Sequence, residues 1–207
     1  MLALIGFGVL FYIGVYWKIL VTIFAHIILV SPLAYKFLLH DYQKTRITDF
    51  ASEKPSYHVR QSIIAIGSGG WTGKSKEDTT QTQMKFLPIA TSDFIFAFVV
   101  ERTGFLGVLA LISIYAMLII HLMSLSIFNK DYYIKVVTIS ISFMIFIYMG
   151  VNISMTMGFA PVVGVPLPLF SYRGSSFLTF IILFGIMQNL ISFCYKDMGI
   201  SNNPRHS

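Results

Sequence analysis

Asp93 is the first residue that could carry chemistry, because it interrupts the apolar stretch FLPIATSDFIFAFVV. A carboxylate within or beside a membrane-compatible segment is costly to bury, and such residues commonly serve a function. The structural alternative is a helix N-cap, in which the carboxylate accepts hydrogen bonds from backbone amides. A cap favours the charged form of the carboxyl group, whereas apolar surroundings favour the neutral form. The residues alone leave both interpretations open.

The stretch IAIGSGGWTGKS, residues 64–75, is the second candidate, because glycine-rich turns can bind phosphate. A Walker A loop needs a glycine, any four residues and then Gly-Lys-Ser/Thr, so its first glycine lies five positions before the second. Here Ser68 holds that position, and no buried strand is predicted before it. The spacing therefore argues against a nucleotide-binding loop. An anion-binding turn beside Lys74 and Lys76, or a flexible turn with solvated lysines, remain the alternatives.

Polar residues inside the apolar blocks are predicted to make interhelical hydrogen bonds rather than to bind ligands. Asn152 and Thr156 lie four residues apart and therefore share one helix face. Gln188 and Asn189 fall in the last apolar block.

Two further groups of residues receive structural interpretations. His26 and His121 have no cysteine or carboxylate at ligand spacing, so no metal site is predicted there. Glu101 and Arg102 are expected to form a solvated or locally paired break between a short apolar segment and the next long one.

Composition places all these residues in a membrane protein. The 207-residue chain is 56% hydrophobic and 12% charged, whereas soluble domains have about 25% charged residues. Between His40 and Arg102, eight Lys and Arg face seven Asp and Glu. This near balance argues against a nucleic-acid surface. The expected partner of the chain's surface is a lipid bilayer.

The apolar blocks predict an all-α polytopic membrane protein with about five transmembrane helices. Residues 1–39 contain too many apolar residues for one span, so we predict two helices that turn near Trp17. Residues 103–195 are predicted to contain three more, at about 103–128, 133–159 and 176–195. Lys and Arg in the short connections favour their side as cytoplasmic, together with the tail 196–207.

Two polar segments are then predicted on the outer side. Residues 40–102 form a large extracytoplasmic loop, in which a short interfacial helix carries Asp93. Residues 160–176 form a second outer loop, whose Pro and Gly residues oppose helix formation. Non-helical backbone at membrane depth requires surrounding protein or a water-filled cavity. We therefore expect both loops to cover the same cavity.

The loops resemble one family, the SEDS proteins of bacterial cell-wall synthesis (RodA/FtsW/SpoVE). The resemblance lies in HDYQKTRITDF, YHVRQSIIAIGSGGWTGKS, TQTQMKFLP with TSDFIFAFVVERTGFLG, and NISMTMGFAPVVGVPLPLFSYRGSS. These stretches occur in the family's order and cover most of residues 40–176. DYQKTRI and TQTQMKFLP are most similar to the RodA branch.

The resemblance implies a peptidoglycan glycosyltransferase that polymerises lipid II into glycan strands for cell-wall elongation and cell shape. The family's essential aspartate falls on Asp93, which would be the base for the acceptor sugar hydroxyl. The configuration at C1 of the donor sugar would invert as undecaprenyl diphosphate departs. Lys74 or a bound divalent cation would offset the diphosphate charge, and the cofactor is otherwise unknown. The other implied substrate-binding residues are Gly67, Gly69, Gly70, Gln61, Ser175, Ser176 and Arg46.

The resemblance also implies a place and a partner. The chain would be a multi-pass protein of the bacterial cytoplasmic (inner) membrane with its large loop outside. Its partner would be a class B penicillin-binding protein, a transpeptidase that cross-links the strands. Neither the motifs nor the composition distinguish elongation from cell division.

The chain departs from the family around the site and in length. Thr91, Ser92 and Ile89 replace a histidine, a threonine and an acidic residue, and Arg173 replaces a glycine. The resemblance covers only the family's C-terminal half, and Met1 opens directly into an apolar segment, so we expect a truncated or split copy whose activity alone is an open question. A non-catalytic remnant or scaffold of the elongation or division complex is one alternative. The other is a transporter of a lipid-linked precursor, which predicts paired broken helices in repeated halves.

Overall fold

The computed structural model describes residues 2–37, 41–51, 56–74, 93–128, 131–171 and 174–201. Every regular element in these ranges is an α-helix, which confirms the all-α prediction for this part of the chain. The helices are α1 (Leu2–Ile13), α2 (Trp17–Phe37), α3 (Asp41–Ala51), α4 (Tyr57–Ser68), α5 (Ile95–Phe128), α6 (Tyr132–Thr156) and α7 (Gly174–Ser201).

Three helical segments are long and apolar enough to cross a membrane: Ile95–Phe128, Tyr132–Thr156 and Gly174–Ser192. Two shorter apolar segments, Leu4–Ile13 and Trp17–Ser31, lie at the positions of the two predicted N-terminal spans. The three long segments match the predicted C-terminal spans in order and approximate position. The total of about five spans stays a prediction.

Helix α5 is bent at Gly104, whose φ of 68° and ψ of −166° are not helical. The bend divides α5 into a short arm, residues 95–103, and a long arm, residues 105–128. Asp93 lies just before the first turn of the short arm. This arrangement agrees with the predicted short helix that precedes the third span.

The segment predicted as a large loop contains two helices that sequence reasoning did not identify. Residues 41–51 form α3, and residues 57–68 form α4. On α4 the buried residues Val59, Ser62 and Ala65 recur every third residue, so one face of the helix packs against the protein. Val59 and Ala65 form a small apolar cluster with Phe94 and Ala97 at the start of α5. This cluster attaches α4 to the short arm.

The main apolar core lies between α5, α6 and α7. Its buried residues are Phe96, Val100, Val108, Leu111, Tyr115 and Leu122 of α5, Ile134, Ile141 and Ile145 of α6, Leu167 of the α6–α7 connection, and Phe180, Met187 and Ile191 of α7. Helix α6 also contacts α1 and α4, so it is the central helix of the described part.

Two side-chain hydrogen bonds join α4 to the end of α6 and α5 to the α6–α7 connection. Ser62 of α4 donates to the carbonyl oxygen of Thr156 at 2.6 Å. Thr156 is the last residue of α6, where helix carbonyls lack intrahelical donors. The hydroxyl of Tyr115 on the long arm donates to the carbonyl oxygen of Pro168 in the α6–α7 connection. Both bonds hold the elements that surround Asp93.

Candidate functional site

A cavity of about 290 Å³ lies where α3, α4, the start of α5 and the α6–α7 connection meet. Its polar and charged lining residues among those described are Arg46, Ser56, His58 and Asp93. The α6–α7 connection closes one side with residues 158–164. Residues of both segments that were predicted as loops therefore line one cavity, and their position on the outer side stays a prediction.

Asp93 lines this cavity although its side chain is only 8% exposed. Its backbone carbonyl oxygen accepts a hydrogen bond of 2.9 Å from Nδ2 of Asn152. The same nitrogen donates to the carbonyl oxygen of Val165 at 2.6 Å. Asn152 therefore bonds to two residues outside helices rather than to another helix, and it fixes the backbone that carries the carboxylate. The Oγ1 of Thr156 donates within α6, to the carbonyl oxygens of Asn152 and Ile153.

Arg46 brings a positive charge to the same cavity from α3. Its Nη1 donates to the carbonyl oxygen of Val162 at 2.9 Å, across 116 positions of sequence. This bond joins α3 to the α6–α7 connection and orients the guanidinium group. The remaining guanidinium N–H groups can serve an anionic ligand, because arginine has five donors.

Gly164 lies between the two charged groups. A Cβ atom at this position would be 3.3 Å from Oδ2 of Asp93 and 4.0 Å from Nη1 of Arg46. The φ of Gly164 is +70°, a conformation that residues with side chains rarely adopt. A glycine therefore both permits this turn and keeps the space between Asp93 and Arg46 open.

His58 is a cavity residue that sequence reasoning missed. Its ring packs edge-on against Tyr57, with centroids 5.7 Å apart, and lies 6.4 Å from the ring of Phe94. Its buried Nδ1 has no hydrogen-bond partner among the described residues. A single histidine in a polar stretch gives no signal of this position, which depends on how α4 packs.

The glycine turn, residues 69–74 after α4, lies against the bend of α5. Lys74 N–H donates to the carbonyl oxygen of Glu101, while the amides of Phe105 and Leu106 donate to the carbonyl oxygens of Gly70 and Trp71. The turn thus satisfies backbone groups that the break at Gly104 leaves without helical partners. Its segment follows a helix, not a strand, which agrees with the exclusion of a nucleotide-binding loop.

The charged pair at the bend differs from expectation. Glu101 is fully buried, so a solvated position is wrong for this residue, whereas Arg102 is exposed. Glu101 faces the protein because the glycine turn covers the bend: a Cβ atom at Gly69 would lie 3.3 Å from the Cα of Glu101. The break itself falls at Gly104.

Of the predicted site residues, the structure brings Asp93 and Arg46 together in the cavity. The other predicted residues do not line it among the residues described. Gly67 is in the last turn of α4, Gly69, Gly70 and Lys74 are in the turn at the α5 bend, and Ser175 and Ser176 begin α7. Gln61 follows His58 by one turn of α4, and its buried Oε1 has no hydrogen-bond partner among the described residues. The proposed roles of these residues stay predictions.

A resident metal site is not evident in the described ranges. They contain no group of three or more His, Cys, Asp or Glu side chains arranged to hold a metal ion. A divalent cation at the site stays a prediction.

Comparison with known proteins shows the family of this chain. The model of the FtsW/RodA/SpoVE family, described as cell cycle proteins, matches residues 1–196. The chain belongs to the FtsW/RodA/SpoVE family. Together with the three long apolar helices, membership identifies a multi-pass membrane protein.

Two curated family members show how much of a relative's length the chain covers. It is 59% identical to the peptidoglycan glycosyltransferase MrdB of Helicobacter pylori (strain ATCC 700392 / 26695), over 97% of this chain and 52% of that protein. It is 37% identical to MrdB of Escherichia coli (strain K12), over 92% of this chain and 53% of that protein. The chain spans about half the length of the curated relatives it matches.

A solved structure shares the fold. It is described as "Structural coordination of polymerization and crosslinking by a peptidoglycan synthase complex" and has a TM-score of 0.75 and 23% sequence identity. The match covers 93% of this chain and 54% of that chain. At this identity the likeness supports the fold alone.

Proposed function

We propose that the chain contributes the catalytic cavity of a peptidoglycan glycosyltransferase that polymerises lipid II for cell-wall elongation and cell shape. The observation that carries the proposal is the placement of Asp93, a nearly buried carboxylate, beside Arg46 in one cavity. The curated relatives that bear the glycosyltransferase name give the reaction class.

The reaction requires a base at the acceptor hydroxyl and a positive charge at the leaving group. The carboxylate of Asp93 accepts the hydroxyl proton as the hydroxyl oxygen forms a bond to C1 of the donor sugar. The bond between C1 and the diphosphate oxygen breaks, and its electron pair leaves with undecaprenyl diphosphate. Attack opposite the leaving group inverts the configuration at C1.

Arg46 is the side chain of the cavity best suited to the diphosphate. An arginine guanidinium group carries a positive charge and can form two parallel hydrogen bonds to phosphate oxygens. The bond from Nη1 to the carbonyl oxygen of Val162 holds the side chain at the cavity. The role that the resemblance implies for Lys74 or a divalent cation stays a prediction beside this one.

A lipid-linked donor also fits the architecture. The cavity is formed at the end of α6 and at the beginning of the bent helix α5, so it lies at the end of the apolar bundle. A lipid tail can stay in the bilayer while the sugars reach the cavity. We propose the bacterial cytoplasmic membrane as its location, with the cavity on the outer side, and a class B penicillin-binding protein as its partner.

The proposal is tested by incubating the purified chain with lipid II, alone and with a penicillin-binding partner, and separating glycan products by length. The parent chain is expected to make glycan strands, and Asp93→Asn is expected to make none. Equal polymer from both chains would remove Asp93 as the base. If neither makes polymer, the non-catalytic alternative is favoured, since the chain spans about half of its relatives.

A further inference from the structure

We infer that Asn152 is a positioning residue that fixes Asp93 and the opposite wall of the cavity with one amide group. The inference rests on the proposed function, which gives Asp93 its catalytic role. Asn152 does not line the cavity, so it acts through the residues that it holds.

The geometry of the amide carries the inference. Nδ2 of Asn152 donates at 2.9 Å to the carbonyl oxygen of Asp93 and at 2.6 Å to the carbonyl oxygen of Val165. Both acceptors are carbonyl oxygens, so the nitrogen of the side-chain amide must face them. One nitrogen therefore joins the segment before α5 to the α6–α7 connection.

Both segments contribute cavity wall outside helices. Asp93 precedes the first turn of α5, and Val165 follows Gly164 in the connection. Because helical hydrogen bonds do not hold either segment, a side chain must do so. The short approach between Gly164 and Oδ2 of Asp93 depends on both segments keeping their positions.

Stability alone does not account for an asparagine here. Asn152 is fully buried, and its Oδ1 has no hydrogen-bond partner among the described residues. A buried acceptor without a partner is destabilising, so an asparagine is favoured at this point only through the hydrogen bonds that its Nδ2 donates. The two donors of the amide nitrogen are what the position requires.

The test compares two substitutions at Asn152 with a matched control. Asn152→Leu removes both donors at similar size, and Asn152→Asp keeps the shape but directs a carboxylate oxygen at two carbonyl oxygens. The control is Thr138→Val, because Thr138 is also fully buried in α6 but donates only to Ile134 of its own helix. Each full-length chain is reconstituted in lipid nanodiscs, and amide hydrogen exchange is measured peptide by peptide.

Both Asn152 variants should raise exchange about tenfold in peptides that cover residues 93–100 and 159–167, because each lost hydrogen bond has a modest net effect. In the same two variants, amide exchange rates in the middle of α6 and in the glycine turn should stay within about twofold of the parent's. In Thr138→Val, amide exchange at residues 93–100 and 159–167 should equal the parent's. Parent-like exchange at 93–100 and 159–167 in Asn152→Asp would overturn the inference. An equal rise in Thr138→Val would do so too, since the effect would then be general loosening of α6.

A second readout separates positioning from substrate binding. With lipid II as substrate, Asn152→Leu should lower kcat about tenfold or more and change KM less than about twofold, because a misplaced base slows the chemical step. A raised KM with unchanged kcat would overturn the positioning role. If the parent makes no polymer while exchange changes locally as expected, the proposed function fails and the positioning of Asp93 by Asn152 stands.

Discussion

Replacing Gly164 with alanine tests whether the space between Asp93 and Arg46 is the working part of the cavity. The new methyl group would lie 3.3 Å from Oδ2 of Asp93, tighter than an ordinary contact, so the carboxylate must move by a few tenths of an ångström. It would also occupy space within 4.0 Å of Nη1 of Arg46. Because small displacements of reacting groups cost up to about 100-fold in rate, we expect lipid II polymerisation to fall about 10- to 100-fold.

The backbone strain of this substitution must be separated from its effect on the cavity. A residue with a Cβ atom at a φ of +70° costs about 1–2 kcal/mol of stability. For a chain of this size, that cost lowers the thermal midpoint by about 2–8 °C. Gly14→Ala is the matched control, since Gly14 has a φ of +81° and no atom within 4 Å of an added Cβ.

The two variants should therefore lose similar stability, and only Gly164→Ala should lose activity. Initial rates of lipid II polymerisation and thermal unfolding curves, measured on the same preparations, compare them. If Gly164→Ala polymerises lipid II as fast as Gly14→Ala, the space beside Gly164 is not where substrate reacts, and the assignment of this cavity is refuted.

Two further predictions separate the cavity from the glycine turn. Arg46→Gln should raise the KM for lipid II about tenfold, because charged hydrogen bonds to the diphosphate are lost, whereas Lys74→Ala should change this KM less than about twofold. Initial-rate measurements compare the two variants. Equal KM values would contradict the assignment of the diphosphate to Arg46. Gly73→Ala should lower the free energy of unfolding by at least about 2 kcal/mol, because its φ is +78° and its methyl would overlap the carbonyl group of Arg102. The control is Gly67→Ala, because Gly67 lies in a helix and an added Cβ atom there meets no other atom within 4 Å. This variant should have the stability of the parent or gain up to about 1 kcal/mol. Equal thermal midpoints for Gly73→Ala and Gly67→Ala would contradict the packing of the glycine turn against the α5 bend.

Local sequence patterns predicted the features that depend on nearby residues. The apolar blocks predicted the three long helices. Proline and glycine content predicted that the α6–α7 connection leaves the helical form and borders a cavity. Each of these follows from hydropathy or backbone restriction within one stretch.

Features that depend on distant packing were missed. The contact from Arg46 to Val162 joins a side chain to a backbone oxygen, which any residue at the second position would supply. Helix α3 is too polar to show an apolar stripe, so its residues resembled a loop. The burial of Glu101 arises because the glycine turn covers the α5 bend, and a charged pair in the sequence gives no sign of that cover.

The glycine turn has a packing role that its motif did not predict. Its spacing argued against a nucleotide loop and left an anion-binding turn and a flexible turn as alternatives. The amides of Gly73 and Lys74 donate to backbone carbonyls of the protein, and anion binding by the turn stays a prediction. The turn stabilises the bend that orients the short arm of α5, and it thereby supports Asp93 from the opposite end of that arm.

The most direct test of the central claim is the turnover rate of Asp93→Asn at saturating lipid II, measured with the penicillin-binding partner present. Asparagine keeps the size of the side chain but cannot accept the hydroxyl proton. We expect kcat to fall at least about 100-fold while the thermal midpoint stays close to that of the parent. A kcat equal to the parent's would show that Asp93 is not the base and that the cavity around it does not perform the reaction.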